Sequence, residues 1–319
     1  MDSPGFWRLL DPVLLLRTFY LAASALILVI QVLPALRTRF LAYGSRATLI
    51  SESNSASEPS QPVALSSRLL DFVASITVPH NYFTHFYVVS VLSSVFWIWL
   101  LWLSDRESIQ PSWNLAGAEA ATVGLAQLLM LLQGTRRLFE SYTYTSSSKS
   151  EMWFGHWILG LVYYLVTNIA VWIEGAAAFQ GRISGTWHQS EDVTSPAQAT
   201  IGWKWAILIP AILTAHILQH SYHSYLYRLR TEHTTYQLPS HPLFPNLLCP
   251  HYTCEVAIYL LLSLLAAPAG HAVNWTLLSS AMFVLVNLGV TASGTKVWYL
   301  EKFGAEKVRG RARMVPWVW

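Results

Sequence analysis

Seven apolar stretches, each about 17–25 residues long, restrict this chain to one kind of fold. They run near Val13–Leu36, His85–Leu103, Leu115–Gln133, Trp153–Phe179, Ile201–Gln219, Glu255–Pro268 (extended toward Val273) and Trp275–Ala292. A backbone that crosses hydrocarbon must satisfy its own polar groups, and segments of this length do so as helices. Only 12% of residues are charged, against roughly 25% in soluble domains. Lipid, not water, is the solvent such a surface fits. The expected fold is an all-α integral membrane protein of about seven transmembrane helices, forming a single membrane domain over residues 1–319.

Charge between the stretches predicts an orientation. Arg37, Arg39, Arg46, Arg68, Arg136, Arg137, Lys149, Arg228, Arg230, Lys296, Lys302, Lys307, Arg309, Arg311 and Arg313 fall on one side of a seven-span threading. The other side receives Arg8, Arg106 and Arg182, with Lys204 at a span edge. Cytosolic loops carry the excess of Lys and Arg, so the N-terminus is expected in the lumen and the C-terminus in the cytosol. Arg17 lies inside the first span, near one end, where it is expected to snorkel. Ser51–Pro62 is rich in Ser and Pro and reads as a flexible cytosolic loop. Ser184–Ala199 reads as a lumenal linker. The first stretch is too long for the core of a cleavable signal and reads as an anchor. Cys249 and Cys254 do not form a CxxC pair and read as bystander thiols. Asn274-Trp275-Thr276 is a glycosylation sequon beside the membrane.

Polar residues gather on the cytosolic side. Gln133-Gly134-Thr135-Arg136-Arg137-Leu138-Phe139-Glu140 stands where the third span ends. Two adjacent guanidiniums suit a phosphate, and Glu140 shares a helical face with Arg136; flanking charge with a local ion pair explains the same residues. His216, His220 and His223 recur on one helical face and suit either a metal or a polar cavity wall. The segment Tyr225–Glu255 is polar yet rich in Tyr, Phe, Leu and Pro, as expected of an ordered loop packed over a cavity. Within it Arg228 and Arg230 are candidate phosphate ligands. His251 and Glu255 face one way at a helix entrance, where Glu255 can instead cap the dipole. Asn287, Trp298 and Tyr299 follow on the last span and suit either a pocket or an aromatic belt. Val78–Tyr87 offers Tyr82, His85 and Tyr87 as proton donors at the interface, with an aromatic belt again the alternative. No GxGxxG turn, P-loop or GxSxG elbow occurs, and no basic stripe suggests nucleic acid.

The series Gln133…Arg136-Arg137…Glu140, Pro250-His251-Tyr252…Glu255 and Trp298-Tyr299…Lys302-Phe303 resembles the steroid 5α-reductase family, and with Val78–Val91 its polyprenol (polyprenal) reductase branch. The likeness runs from about Val78 to Trp319 and is strongest in the C-terminal third. It implies seven helices, an endoplasmic reticulum membrane location, and NADPH held by a C-terminal region, residues 133–319. It also implies reduction of the α-isoprene double bond of polyprenal or polyprenol in dolichol synthesis, which supports protein N-glycosylation. By position, the cofactor-binding residues implied are Arg136, Arg137, His223, Arg230, His251, Glu255, Asn287 and Tyr299, with no metal. The partners implied are a long-chain isoprenoid and membrane lipid. The steroid branch carries a tyrosine near Gln133–Gly134 that this chain lacks, and its acidic partner has no counterpart before Pro79. Tyr82, His85 and Tyr87 are therefore the candidate catalytic residues.

The chemistry favours the aldehyde as immediate substrate. An isolated allylic alcohol offers hydride no electrophilic alkene, whereas an enal spreads the incoming charge onto oxygen. Other readings are a steroid 3-oxo-4-ene or enoyl-thioester reductase, a di-iron desaturase or hydroxylase built on the histidines, and a non-catalytic lipid-binding protein. Di-iron enzymes of that type need several histidine boxes, and no His-His pair occurs in the chain.

Overall fold

The structure is a computed structural model that describes residues 11–41, 65–103, 115–144, 150–176 and 196–316. The expected loop Ser51–Pro62 and most of the linker Ser184–Ala199 lie outside these residues, as do Arg8, Arg46, Arg106, Lys149 and Arg182. The described chain is predominantly helical. In order it forms α1 (Pro12–Val32), α2 (Pro34–Phe40), α3 (Leu65–Ser75), β1 (Thr77–Pro79), α4 (Phe83–Ile98), α5 (Leu115–Thr143), β2 (Glu151–Trp153), α6 (Phe154–Trp172), α7 (Pro196–Thr231), α8 (Pro250–Leu265), α9 (Trp275–Phe303) and α10 (Ala305–Val308).

Each apolar stretch has its long helix, and local chemistry sets several boundaries. Asp11 caps α1 by accepting from the Val13 amide at 2.9 Å, with Pro12 in the first turn. Leu33 is extended because Pro34 follows it. Asn274 caps α9 through the Leu277 amide at 2.9 Å, and Gly304, at φ 85°, ends it. Among the described residues, four segments are long and apolar enough to cross a membrane: Pro12–Val32, His80–Leu101, Phe154–Gly175 and Trp275–Phe303. Helices α5 and α7, of 29 and 36 residues, are more polar, and α8 has 16 residues. Helix α5 runs past Gln133 to Thr143, α7 past Gln219 to Thr231, and α9 past Ala292 to Phe303. These extensions carry the polar motifs expected on the cytosolic side.

Helix α4 packs between α5 and α6, α9 against α1 and α8, and α7 against α8. Small residues permit the closest approaches. A Cβ on Gly134 of α5 would stand 2.8 Å from the Ser90 hydroxyl of α4, and one on Gly160 of α6 would stand 2.5 Å from the Phe86 ring. Buried polar groups join the helices further down. Ser94 and Gln127 both donate to the Asn168 side-chain oxygen, and Trp205 donates to Thr122 at 3.0 Å.

The two ends of the bundle differ. At one, Arg17 is ion-paired with Glu174 at 2.8 Å, and Glu174 also accepts from the Thr276 amide at 2.6 Å. Arg17 thus has a fixed partner, where the sequence suggested snorkelling. The sequon asparagine is fully buried there, with its amide donating to the Ala170 carbonyl at 3.1 Å. At the other end, the β1–β2 ribbon pairs Thr77 with Trp153 and Val78 with Met152, bringing the starts of α4 and α6 together. Helices α5, α7 and α9 finish at this end and α8 begins there. The candidate site occupies it.

Candidate active site

Glu140 is the hub. Its side chain is 1% exposed and accepts from Arg136 at 2.6 Å, from Arg137, from His220 at 2.8 Å and from His223 at 2.7 Å. The i, i+4 and i, i+3 spacings from Arg136 and Arg137 supply two of these bonds within α5. The histidine face of α7 supplies the other two. Burial opposes ionisation of Glu140, yet the His223 hydrogen bond and the surrounding positive charge, both guanidiniums included, hold its carboxyl well below the usual range. Burial, reinforced by the Arg137 charge, pushes His223 down to about 4. Both residues lie beyond the apolar stretches of their helices. A neutral His223 donates its Nδ1–H to Glu140, so the Arg137 guanidinium, 2.8 Å from that same nitrogen, finds its acceptors elsewhere.

A second carboxylate sits behind the hub. Gln133 donates to both oxygens of Glu255 at 2.9 Å and accepts from Arg136 at 2.6 Å. Gln219 repeats the arrangement, taking a bond from Arg136 and giving one to Glu255. Each amide is thereby oriented, oxygen toward the cation and nitrogen toward the anion. Glu255 lies beyond the first turn of α8 and is engaged by side chains from α5 and α7, so it is not the cap that the sequence also allowed.

Of these groups, Arg137, Glu140, Gln219, His223 and Glu255 line a cavity of about 670 Å³ between α4, α5, α6, α7, α8 and α9. Its polar lining also includes Arg230, His251 and Asn287, and its apolar lining includes Phe83, Phe86, Leu159, Phe283, Val284 and Leu288. The Tyr87 hydroxyl accepts from Arg137 at 2.7 Å. His251 stacks on Tyr222 with ring centres 5.3 Å apart, and its Nδ1 is buried with no protein partner. A second cavity of about 350 Å³ shares Leu226, Arg230 and Tyr236 with the first and is also lined by Tyr299. The loop after α7 folds over this end as the sequence suggested. The Leu248 and Cys249 amides donate to the carbonyls of Ala312 and Arg313 at 3.0 and 2.8 Å. Cys249 and Cys254 are buried and unbridged.

The structure sorts the candidate residues. Arg137, His223, Arg230, His251, Glu255, Asn287 and Tyr87 line the main cavity, Tyr299 lines the second, and Arg136 lies behind the wall. Tyr82 and His85 do not line either cavity; they stack on each other at 4.5 Å and pack near Trp157. His216 is buried with neither ring nitrogen partnered, so unlike His220 and His223 it makes no hydrogen bond to Glu140. Among the described residues, no three His, Cys, Asp or Glu side chains are grouped to hold a metal. Tyr163, Tyr164 and Tyr236 also line the main cavity and were not singled out in the sequence. Two adjacent tyrosines in the middle of an apolar span were the available signal for the first pair.

Comparison with known proteins agrees with this geometry. Residues 162–319 match the family described as 3-oxo-5-alpha-steroid 4-dehydrogenase. Polyprenal reductase 2 of Oryza sativa subsp. japonica is 28% identical over the full length of both chains. Polyprenal reductase 1 of Arabidopsis thaliana is 30% identical over 71% of this chain and 77% of its own. The polyprenal reductase of Homo sapiens is 26% identical over 77% of each. No solved structure matches. On these grounds the chain belongs to the steroid 5α-reductase family, in its polyprenal reductase branch.

Proposed function

We propose that this protein is an NADPH-dependent polyprenal reductase of the endoplasmic reticulum membrane, serving dolichol synthesis and through it protein N-glycosylation. Seven helices, α1 and α4 to α9, span the bilayer, with the catalytic end in the cytosol. The observation that carries the reading is a cavity lined by both charged and apolar side chains. The charged residues suit a phosphorylated cofactor and the aromatic and aliphatic ones an isoprenoid, in a chain related end to end to polyprenal reductases.

The residues present fit the cofactor. Arg230 borders both cavities, as an extended dinucleotide lying across them requires of a phosphate ligand. His251, with a buried nitrogen that lacks a protein partner, and Asn287 would offer it further polar contacts. Bound there, the cofactor supplies a hydride. Arg137, His223, Glu255 and Tyr299 complete the binding set, and Arg136 holds it in place through Gln133, Gln219 and Glu140.

Tyr87 is the proton donor in this reading. Its oxygen accepts from Arg137, so its own O–H is available to the substrate aldehyde, and the guanidinium steadies the negative charge left on the phenol. With hydride delivered to the β-carbon, the charge lies on the aldehyde oxygen, which takes the Tyr87 proton; the enol so formed then tautomerises, gaining a proton at the α-carbon as the oxygen gives one up, to leave the saturated aldehyde. Packing explains why the phenol comes from α4. Any side chain at position 134 would run into Ser90, while Tyr87 lies one turn from Ser90 and opposite Arg137, one turn from Gly134.

The test is NADPH oxidation by the purified protein in detergent with a short polyprenal, and mass spectrometry of the product. A saturated α-isoprene unit from the aldehyde, with the alcohol inert, is the expected result. Clean one-step reduction of polyprenol without an aldehyde would overturn the choice of substrate, and inertness of both would overturn the reading.

A further inference from the structure

Helix α3 is amphipathic with its faces reversed. Ser67 and Asp71, on one face, accept from Arg39 of α2 at 3.0 and 2.6 Å. Leu65, Leu69 and Phe72 form a stripe on the opposite face, continued by Ile76 just past the helix end. They are 84%, 62%, 66% and 44% exposed. A helix on a water-facing protein turns its apolar stripe inward and its polar face out. Here the polar face is spent on the protein, and the apolar stripe looks away from it. Arg68 flanks the stripe and Arg37 lies on the neighbouring helix; both are exposed. This is the pattern of a helix lying in a lipid interface, with apolar residues toward the acyl chains and cations at headgroup level.

Its position in the fold fits that seat. Helix α2 follows the apolar helix α1 directly, and α3 leads through β1 into α4, so both neighbours enter the bilayer. Trp153 of β2 donates its indole N–H to the Val73 carbonyl at 2.9 Å and packs on Phe40 at 4.7 Å, which fixes α3 to the ribbon. The ribbon runs on into His80, Asn81 and His156, which line the main cavity. We propose that α3 is seated in the membrane interface by Leu65, Leu69, Phe72 and Ile76. The seat holds the cavity mouth at headgroup level, where a lipid aldehyde presents its polar end.

The experiment places an environment-sensitive fluorophore on Leu69→Cys and, separately, Phe72→Cys. The full chain is reconstituted in phosphatidylcholine–phosphatidylserine vesicles. The parent, whose two cysteines are buried, sets the labelling background, and Glu306→Cys, exposed at the same end, is the water-facing control. Lipids brominated near the headgroup are expected to quench the probes at 69 and 72 several-fold more than iodide does, with the reverse at 306. Iodide quenching at 69 and 72 equal to that at 306 would overturn the seat. So would protection from both quenchers, because protein would then cover the stripe. The readout needs no turnover, so this inference and the reductase reading fail separately.

Discussion

Replacing Glu140 with Gln tests whether the carboxylate organises the site or merely balances charge locally. The carboxylate accepts four bonds, two of them from guanidiniums whose side chains are 12% and 21% exposed. An amide oxygen accepts at most about two, and the new N–H2 would face donors. About two charge-assisted bonds are lost, each worth roughly 1.5–3 kcal/mol, for a total of about 3–6. Removing one partner of a buried ion pair gives about 3–5 kcal/mol independently. Glu255 still compensates Arg136 through Gln133 and Gln219, which selects the lower end, about 3 kcal/mol. At roughly 2–4 °C per kcal/mol for a chain somewhat shorter than this one, Tm should fall by roughly 5–10 °C. Thermal unfolding in detergent, followed by tryptophan fluorescence, reads it, with the exposed Glu306→Gln as a control expected to move stability by less than about 0.5 kcal/mol. Adding Arg137→Met to Glu140→Gln removes one stranded cation, so the double variant should lose less than the sum of the singles. A Glu140→Gln protein as stable as the parent, with additive single losses, would refute the hub.

Tyr87→Phe should lower kcat about 10²- to 10⁴-fold, the usual range for a lost general acid, while leaving cofactor affinity within about threefold of the parent's. An unchanged kcat would remove Tyr87 from the chemistry. His223, held near 4 against about 6.5 when unfolded, stays neutral in the fold while the unfolded chain takes up a proton. Its contribution is therefore full above pH 6.5 and is lost as pH falls toward 4, by up to about 3 kcal/mol. Denaturation across that window should show the loss, and His223→Gln should flatten it. The depressed Glu140 carboxyl adds a further loss only below its unfolded value of about 4.3. Gly160→Ala puts a Cβ 2.5 Å from the Phe86 ring and should cost about 1–3 kcal/mol by overpacking, rescued by Phe86→Leu if that contact is the cause.

What could be read from the chain and what could not divides along the range of the interactions. The long helices were legible because lipid demands an apolar length, and each stretch from Val13–Leu36 to Trp275–Ala292 has its helix. Their polar extensions were legible as helical faces, but not in how far they run: α5 reaches Thr143 and α7 Thr231. Past Gln133 and Gln219 the apolar signal stops, and what continues α5 and α7 is the mutual pairing of Arg136, Arg137, Glu140, His220 and His223 across the two helices. The Arg136–Glu140 pair could be seen in the spacing along one helix. That His220 and His223 would close on the same carboxylate could not, since 80 and 83 residues separate them from it. The candidate proton donors show the same limit. Tyr82, His85 and Tyr87 stand within six consecutive positions, and sequence gives no means of ranking them. Helical geometry sends Tyr87 toward Arg137, leaves the other two against Trp157, and makes the missing tyrosine at Gly134 intelligible: the space it would need belongs to α4. A site assembled from six helices shows in sequence as scattered polar residues, and only their convergence assigns each a task.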